Sequence, residues 1–373
     1  MLIRMVLFAI KVCEISGIEI IKQRLSGGTM MANDLPIPSF FNPDRVGDVW
    51  RVPYQERAGE AVKWRTQHGI RTSAQDAFRV CLMLIDIQNT FCIPGFELYV
   101  GGTTGSGAVD DNQRLGTFIY RNIPAITQIC PTMDTHQIMQ IFHSIFLVND
   151  NGDHPDPYTL VSLDDIEKGA WRFNTELVES LKIDAHFGQA HLVHYARRLK
   201  AGGKYDLTIW PYHAMLGGIG HALVSALEEA IFFHAMCRFS QPDFQLKGGH
   251  PLTENYSVVR PEIIEGLDKR KLDGINQQLM DTLLAFDAVV IAGQAKSHCV
   301  AWTVADLLSE IENKNPALAT KVYLLEDCTS PVVIPDVIDY TEPANKAFEQ
   351  FEKAGMHIVR STDALSDWPG FPS

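Results

Sequence analysis

The sequence predicts an α/β fold of three layers, a mainly parallel sheet with helices on both faces. Three observations carry that expectation. The runs FRVCLMLIDIQ (78–88) and DAVVIAGQ (287–294) are apolar almost throughout, the texture of strands buried on both faces. From residue 206 onward such runs alternate with helical stretches. The chain has 373 residues, 46% of them hydrophobic and 21% charged, which suffices for one large core.

The elements follow in order. Residues 1–29 (MLIRMVLFAIKVCEISGIEIIKQRLSGGT) differ in texture from the rest. Arg4 before MVLFAI is the start of a signal-peptide pattern, but Lys11 and Glu14 break the apolar run and no small-residue cleavage site follows. The run is also too short to span a membrane. The segment reads as a disordered leader, or as an upstream start with Met30 or Met31 as the true one. Residues 30–77, rich in Pro, Gly and charge, read as an extension wrapping the core. The first strand is 78–88. The loop GGTTGSG (101–107) lacks the lysine of a phosphate cradle. A helix is expected at 109–122, then a strand in ITQICPTMDTHQ. Residues 144–205 are irregular, with a helix near 175–200. DLTIWPYH reads as a strand, 219–237 as a helix and FQLKGG (244–249) as a short strand. After 287–294 come the helix CVAWTVADLLSEIEN, the strand KVYLLEDCT, the helix TEPANKAFEQFEKAG with its glycine stop, and the strand MHIVRST. The main domain is thus 78–373 with an insertion at about 144–205.

Charge and cysteine content narrow the function. Net charge is −13 with no basic cluster, which argues against nucleic acid and against anionic membrane as partners. The seven cysteines form no CxxC pair, as expected of reduced thiols in a cytoplasmic protein.

In open α/β sheets ligands bind at the carboxyl ends of strands. Asp86, Asp134 with His136, Lys247 and Cys299 all fall at such ends. Taken singly, a buried cysteine is more often packing than nucleophile, and a lone lysine is usually solvated. Together they form a chemical set. Cys299 at a helix start gains from the helix dipole, a nearby lysine would lower its pKa further, and a carboxylate can take and return the proton.

With those residues in place, the chain resembles the cysteine-hydrolase branch of the isochorismatase-like superfamily, and most of all the nicotinamidases. The marks, in family order, are IDIQNTF (85–91), TMDTHQ (132–137), WPYHAMLGGIG (210–220), LKGG (246–249) with ENYSVV (254–259), and AGQAKSHCV (292–300). The resemblance covers roughly 78–361, with long insertions relative to compact members. It implies a Rossmann-like three-layer sheet, with Asp86, Lys247 and Cys299 as the catalytic set. It implies a cis peptide at Gln294–Ala295, and an oxyanion hole from the amides of Ala295 and Cys299. It implies a site for a divalent metal (Zn, Fe or Mn) on Asp134, His136 and His213. His143, one residue beyond the family position, is the candidate fourth ligand, with His154 further on; an exposed loop histidine is the alternative for both. Gln88 and Phe91 would shape the pocket mouth. Trp210 and Tyr256 belong either to the pocket or to the core, and His298 faces either inward or outward. His221, His234 and His250 read as structural or exposed, and Cys328 has no assigned role.

The implied reaction is hydrolysis of a small carboxamide through a thioester, with nicotinamide as first substrate. Alternatives are a carbamoyl or ureido substrate, or a catalytically silent ligand-binding homologue. Cys299 argues against the vinyl-ether cleavage of true isochorismatases, which lack it. Family members are often dimers or tetramers, so a homo-oligomer is expected.

Overall fold

The computed structural model describes residues 34–372; the segment 1–29 read as a leader lies outside them. Six parallel strands form the central sheet: β1 (Val80–Ile85), β2 (Gln128–Asp134), β3 (Gln245–Lys247), β4 (Ala288–Gly293), β5 (Val322–Leu325) and β6 (His357–Val359). Their order is β6-β5-β4-β1-β2-β3. The chain therefore winds outward in both directions from the β1–β4 pair, the doubly wound arrangement whose switch point opens a crevice at the strands' carboxyl ends.

Alternation along the strands divides the interior into two cores. Val80, Leu82 and Leu84 of β1, with Val290 of β4, point to one face. There they meet α2 (Gly107–Arg121) and α4 (Ser225–Arg238), through residues such as Leu115, Ile119, Leu227 and Ile231. Cys81, Met83 and Ile85, with Val289 and Ile291, point to the other. That side is covered by α5 (Gln277–Leu284), α6 (Ala301–Lys314) and α7 (Thr341–Lys353). A strand with apolar side chains on both faces is the signature read from 78–88.

The extension is a packed element. α1 (Tyr54–Gln67) lies against α4, where Arg57 donates to Glu229 at 2.7 Å and its guanidinium sits 4.0 Å over the Phe40 ring. At its end the fully buried Arg238 of α4 pairs with Asp76 and donates to the Arg71 carbonyl at 2.6 Å. The 144–205 segment carries α3 (Ala185–Ala201), whose N-terminus is capped by Asp184 accepting from Phe187 N at 2.8 Å.

Four expectations change. DLTIWPYH is no strand of the central sheet: Leu207–Thr208 pair antiparallel with Leu160–Val161, and Trp210 makes an isolated bridge to His143. Pro211 lacks a donor, and the Trp210 amide goes to the Phe142 carbonyl. The helix expected from 219 starts at Ser225, because the carbonyls of Gly220 and Ala222 accept from Thr90 and Asn89. Cys299 does not begin an α-helix; it lies in a π-turn, Lys296–Val300, that runs into α6. Two helices of eight or more residues, α1 and α5, stand where none was read, as do the short helices Asn89–Cys92 and Leu163–Glu167. No described helix is long and apolar enough to cross a membrane.

Candidate active site

The site lies at the β1–β4 switch point and extends to the ends of β2 and β3. Asp86 follows β1 with φ of 47°, a left-handed conformation that aspartate tolerates better than most residues. Thr132 of β2 holds it there: the hydroxyl accepts from the Asp86 amide at 3.1 Å and donates to Oδ1 at 2.6 Å. Gly293 closes the gap between β1 and β4. A Cβ at Gly293 would stand 2.0 Å from the Ile85 carbonyl, so only glycine lets the two strand ends approach this closely.

Lys247 ends β3 in register with Asp134 of β2, which places their side chains together. Its buried ammonium lies 3.0 Å from Asp86 Oδ2, 3.0 Å from Asp134 Oδ1 and 3.6 Å from Cys299 Sγ, and donates to the Asn255 carbonyl at 2.9 Å. Burial alone would lower its pKa, but the two carboxylates override this and hold it well above the ordinary lysine value. Three strand ends thus meet on one cation.

The thiol does not behave as its helix-start position suggests. Burial pushes Cys299 well above the ordinary range; Lys247 opposes this, while Asp86 and Asp134 add to it. Burial and the two carboxylates thus work against the ionisation that the helix start and Lys247 favour. Asp86 is itself raised, chiefly by burial, with Lys247 pulling against it. The ligand atoms of Asp86, Asp134 and Cys299 lie within 4.8 Å of one another, and a thiol this close to a carboxylate can lose its proton to that base as it attacks. The Gln294–Ala295 peptide is cis, and the Ala295 amide donates to no acceptor among the described residues.

Beside this set, Asp134, His136 and His213 place three buried ligand atoms within 4.8 Å of one another. The donor chemistry fits a metal. The Gly248 carbonyl can only accept, so its 3.0 Å contact puts hydrogen on His136 Nδ1 and directs Nε2 at Asp134 Oδ2, 2.9 Å away. The Pro211 carbonyl does the same for His213 at 2.8 Å, and its Nε2 lies 3.8 Å from the same oxygen. Two imidazole nitrogens and a carboxylate oxygen converging in this way need a proton or a cation between them. Without metal, burial opposes and Asp134 favours the proton on His136, whose pKa is raised; burial pushes His213 down to about 3. Gly248, at φ of 84°, lets the backbone pass: a Cβ there would stand 2.6 Å from Asp134 Oδ1.

His143 stands next to this trio, its ring centroid 6.2 Å from that of His213, but its nitrogens fall outside the 4.8 Å group. Its Nδ1 donates to the Ile138 carbonyl at 3.0 Å. His154 is exposed, on the Leu147 carbonyl. Phe91 packs edge-on against His213, 5.5 Å between centroids.

Gln88 is a strut within the protein. Its amide donates to the Asp134 and His221 carbonyls at 2.8 and 2.9 Å, and its carbonyl accepts from the Asp134 amide at 2.8 Å. Trp210 donates to the Tyr256 hydroxyl at 3.0 Å, both residues largely enclosed. His298 turns into an aromatic cluster, with Tyr340, Tyr205, Tyr256 and Trp210 centroids 4.6–5.6 Å away, and burial pushes it down to about 3. His234 is buried on the Ile126 carbonyl. His250 accepts from the Leu252 amide and His221 pairs with Thr135. Cys328 is buried away from the set. Thr132 and Asn255 escaped the sequence reading, although Thr132 opens the very motif that holds Asp134 and His136.

No family model matches the chain, and no curated protein does. Solved structures do. The chain is similar to a nicotinamidase from Acinetobacter baumanii at 18% identity, over 78% of this chain and 99% of that one, with a TM-score of 0.46. It is similar to the yeast nicotinamidase bound to the inhibitor nicotinaldehyde at 17% identity, over 75% and 99%, with a TM-score of 0.47. A pyrazinamidase of Pyrococcus horikoshii in complex with zinc matches at 17%, over 76% and 99%, with a TM-score of 0.40.

Proposed function

We propose that this chain hydrolyses a small carboxamide to the acid and ammonia through a thioester on Cys299, with nicotinamide as the first substrate to test. One observation carries the reading. The Lys247 ammonium touches Asp86, Asp134 and Cys299 at once, so a buried nucleophile, a base and a balancing charge occupy one point.

The steps follow from those groups. Sγ of Cys299 attacks the amide carbon while its proton passes to Asp86. The oxyanion faces the amides of Ala295 and Cys299, donors fixed before the charge develops. The C–N bond breaks, Asp86 returns the proton to nitrogen, and ammonia leaves. Water then adds to the thioester and gives its proton to Asp86. The C–S bond breaks and the thiol recovers that proton as the acid departs. Lys247 keeps Asp86 ionised at the start of each half and offsets negative charge on sulfur.

Asp134, His136 and His213 are the residues that would hold a divalent metal. When bound it supplies a Lewis-acid anchor for a heteroaromatic ring nitrogen or a water beside the thiol. This trio is what favours nicotinamide over a carbamoyl or ureido substrate, which carries no such nitrogen.

The test is ammonia release from nicotinamide, pyrazinamide, a benzamide lacking the ring nitrogen, and a ureido acid. Release from nicotinamide and pyrazinamide ahead of the others supports the reading. Preference for the ureido acid moves the substrate to the second class, and no release from any of them rejects amide hydrolysis.

A further inference from the structure

We infer that Asp111, on α2, is a positioning residue for the reaction: through Gln294 and Ser330 it sets the direction of the Ala295 amide. The inference rests on the proposed amide hydrolysis, in which that amide receives the oxyanion.

Ala295 has no side chain with which to be held, so its orientation depends on its two neighbours. Gln294 is buried, its amide donates to the Ile85 carbonyl at 2.8 Å, and its side chain donates to Asp111 Oδ2 at 2.8 Å. The same side chain accepts from the Ser330 amide at 3.3 Å. On the other flank, Lys296 N donates to the Ser330 carbonyl at 2.8 Å. Both neighbours of Ala295 are therefore tied to Ser330, and Asp111 holds this frame through the Gln294 side chain that accepts from the Ser330 amide.

Asp111 is built to hold this frame. It is buried, and Arg114 on the same helix donates to its other oxygen at 2.8 Å. Arg114 also reaches the Asp327 carbonyl, fastening α2 to the loop that carries Ser330. The helix start is pressed against that loop: a Cβ at Gly107 would stand 2.6 Å from Ser330 Oγ. A carboxylate accepting from several donors in a closed space fixes direction more firmly than a neutral amide would. Asp111 touches neither sulfur nor base, so its effect should fall on the oxyanion and spare the thiol.

The experiment compares Asp111→Asn, Gln294→Met and the double variant with wild type, using the full-length protein as purified. Three quantities are measured: kcat/KM for the best amide, affinity for pyridine-3-carboxaldehyde, and the rate of Cys299 alkylation by iodoacetamide. The aldehyde adds to the thiol to give an oxygen that needs the same donor; alkylation does not. A displaced oxyanion donor costs on the order of 10- to 100-fold, expected alike in kcat/KM and aldehyde affinity for each single variant. Alkylation should stay within about twofold, and the double variant should be no worse than the poorer single one. Wild-type aldehyde affinity in both singles overturns the inference. So does an alkylation rate that falls in parallel, or a silent Gln294→Met beside a damaged Asp111→Asn. A wild type that binds the aldehyde with these sensitivities but releases no ammonia rejects the proposed function and leaves the positioning role standing.

Discussion

The Nζ of Lys247 lies 3.6 Å from the Sγ of Cys299, close enough to donate to sulfur. Yet burial and two carboxylates push the thiol's pKa up against that one ammonium. Alkylation of Cys299 should therefore have its midpoint above the ordinary thiol value of about 8.5. Lys247→Met removes the opposing cation and should move it higher. Asp86→Asn removes a carboxylate and should move it lower, while turnover falls by roughly 10²- to 10⁴-fold for want of a base. Midpoints that shift in the same direction, read by mass spectrometry across pH, would contradict this balance of charges.

Cys299→Ala should leave no amide turnover and a native fold. The side chain is small, so thermal unfolding should move by only a few degrees, about 1 kcal/mol. Retained ammonia release from this variant would take Cys299 out of the mechanism.

Purified protein should carry about one first-row divalent ion per chain, and the His136→Ala, His213→Ala double variant should carry almost none. Gly248→Ala is the sharper probe. It leaves every ligand in place but drives a methyl to 2.6 Å from Asp134 Oδ1 at a φ of 84°. Metal content by elemental analysis should fall in this variant too; full occupancy would mean that the three residues do not need the geometry seen here.

Stability should decline in acid through His234. Burial pushes its pKa down to about 4, against an unfolded value near 6.5. The unfolded chain takes up the proton between those values and the folded chain does not, so stability is complete above about 6.5 and is lost as pH falls toward 4. At about 1.4 kcal/mol per pKa unit, this group alone accounts for on the order of 3 kcal/mol. His234→Gln, which keeps a donor for the Ile126 carbonyl, should flatten that part of the urea midpoint against pH. An unchanged slope would show that other groups set it.

Arg238→Met should destabilise by roughly 3–5 kcal/mol, because Asp76 and the carbonyls of Arg71 and Ile126 lose a buried donor. Asp76 also accepts from Thr127 at 2.7 Å, so Asp76→Asn should cost less. Urea unfolding measures both. A neutral Arg238→Met would mean that the extension is not anchored through this pair.

Asp86 and Lys247 could be read from the sequence because each closes a strand-like stretch, and Cys299 because it follows one across a short turn; parallel strands bring such ends to one edge. Asp134 and His136 could be read because two residues apart is already a local motif. The state of the thiol could not, since its sign depends on how deeply sulfur and carboxylates are buried, which no local pattern encodes. Gln88 sits in the same motif as Asp86 yet acts on backbone, because what its side chain meets is decided by β2. The Gln294–Asp111 bond joins positions 183 residues apart and leaves no periodic trace. α1 was hidden by the Pro- and charge-rich texture of its segment, in which Tyr54, Arg57 and Arg65 are spent on α4.

The outward winding from the β1–β4 pair has a kinetic consequence. Asp86, Lys247 and Cys299 come from strands that are far apart in sequence and meet only when the sheet is assembled around its centre. Non-local parallel pairing is the slow part of folding, because loop closure must precede the contacts that reward it. Helices can form early without creating any part of the centre. Recovery of activity after dilution from denaturant is thus a late clock, lagging the return of helical circular dichroism. A truncated chain lacking β4 keeps the aspartate and the lysine but has no partial site to fall back on.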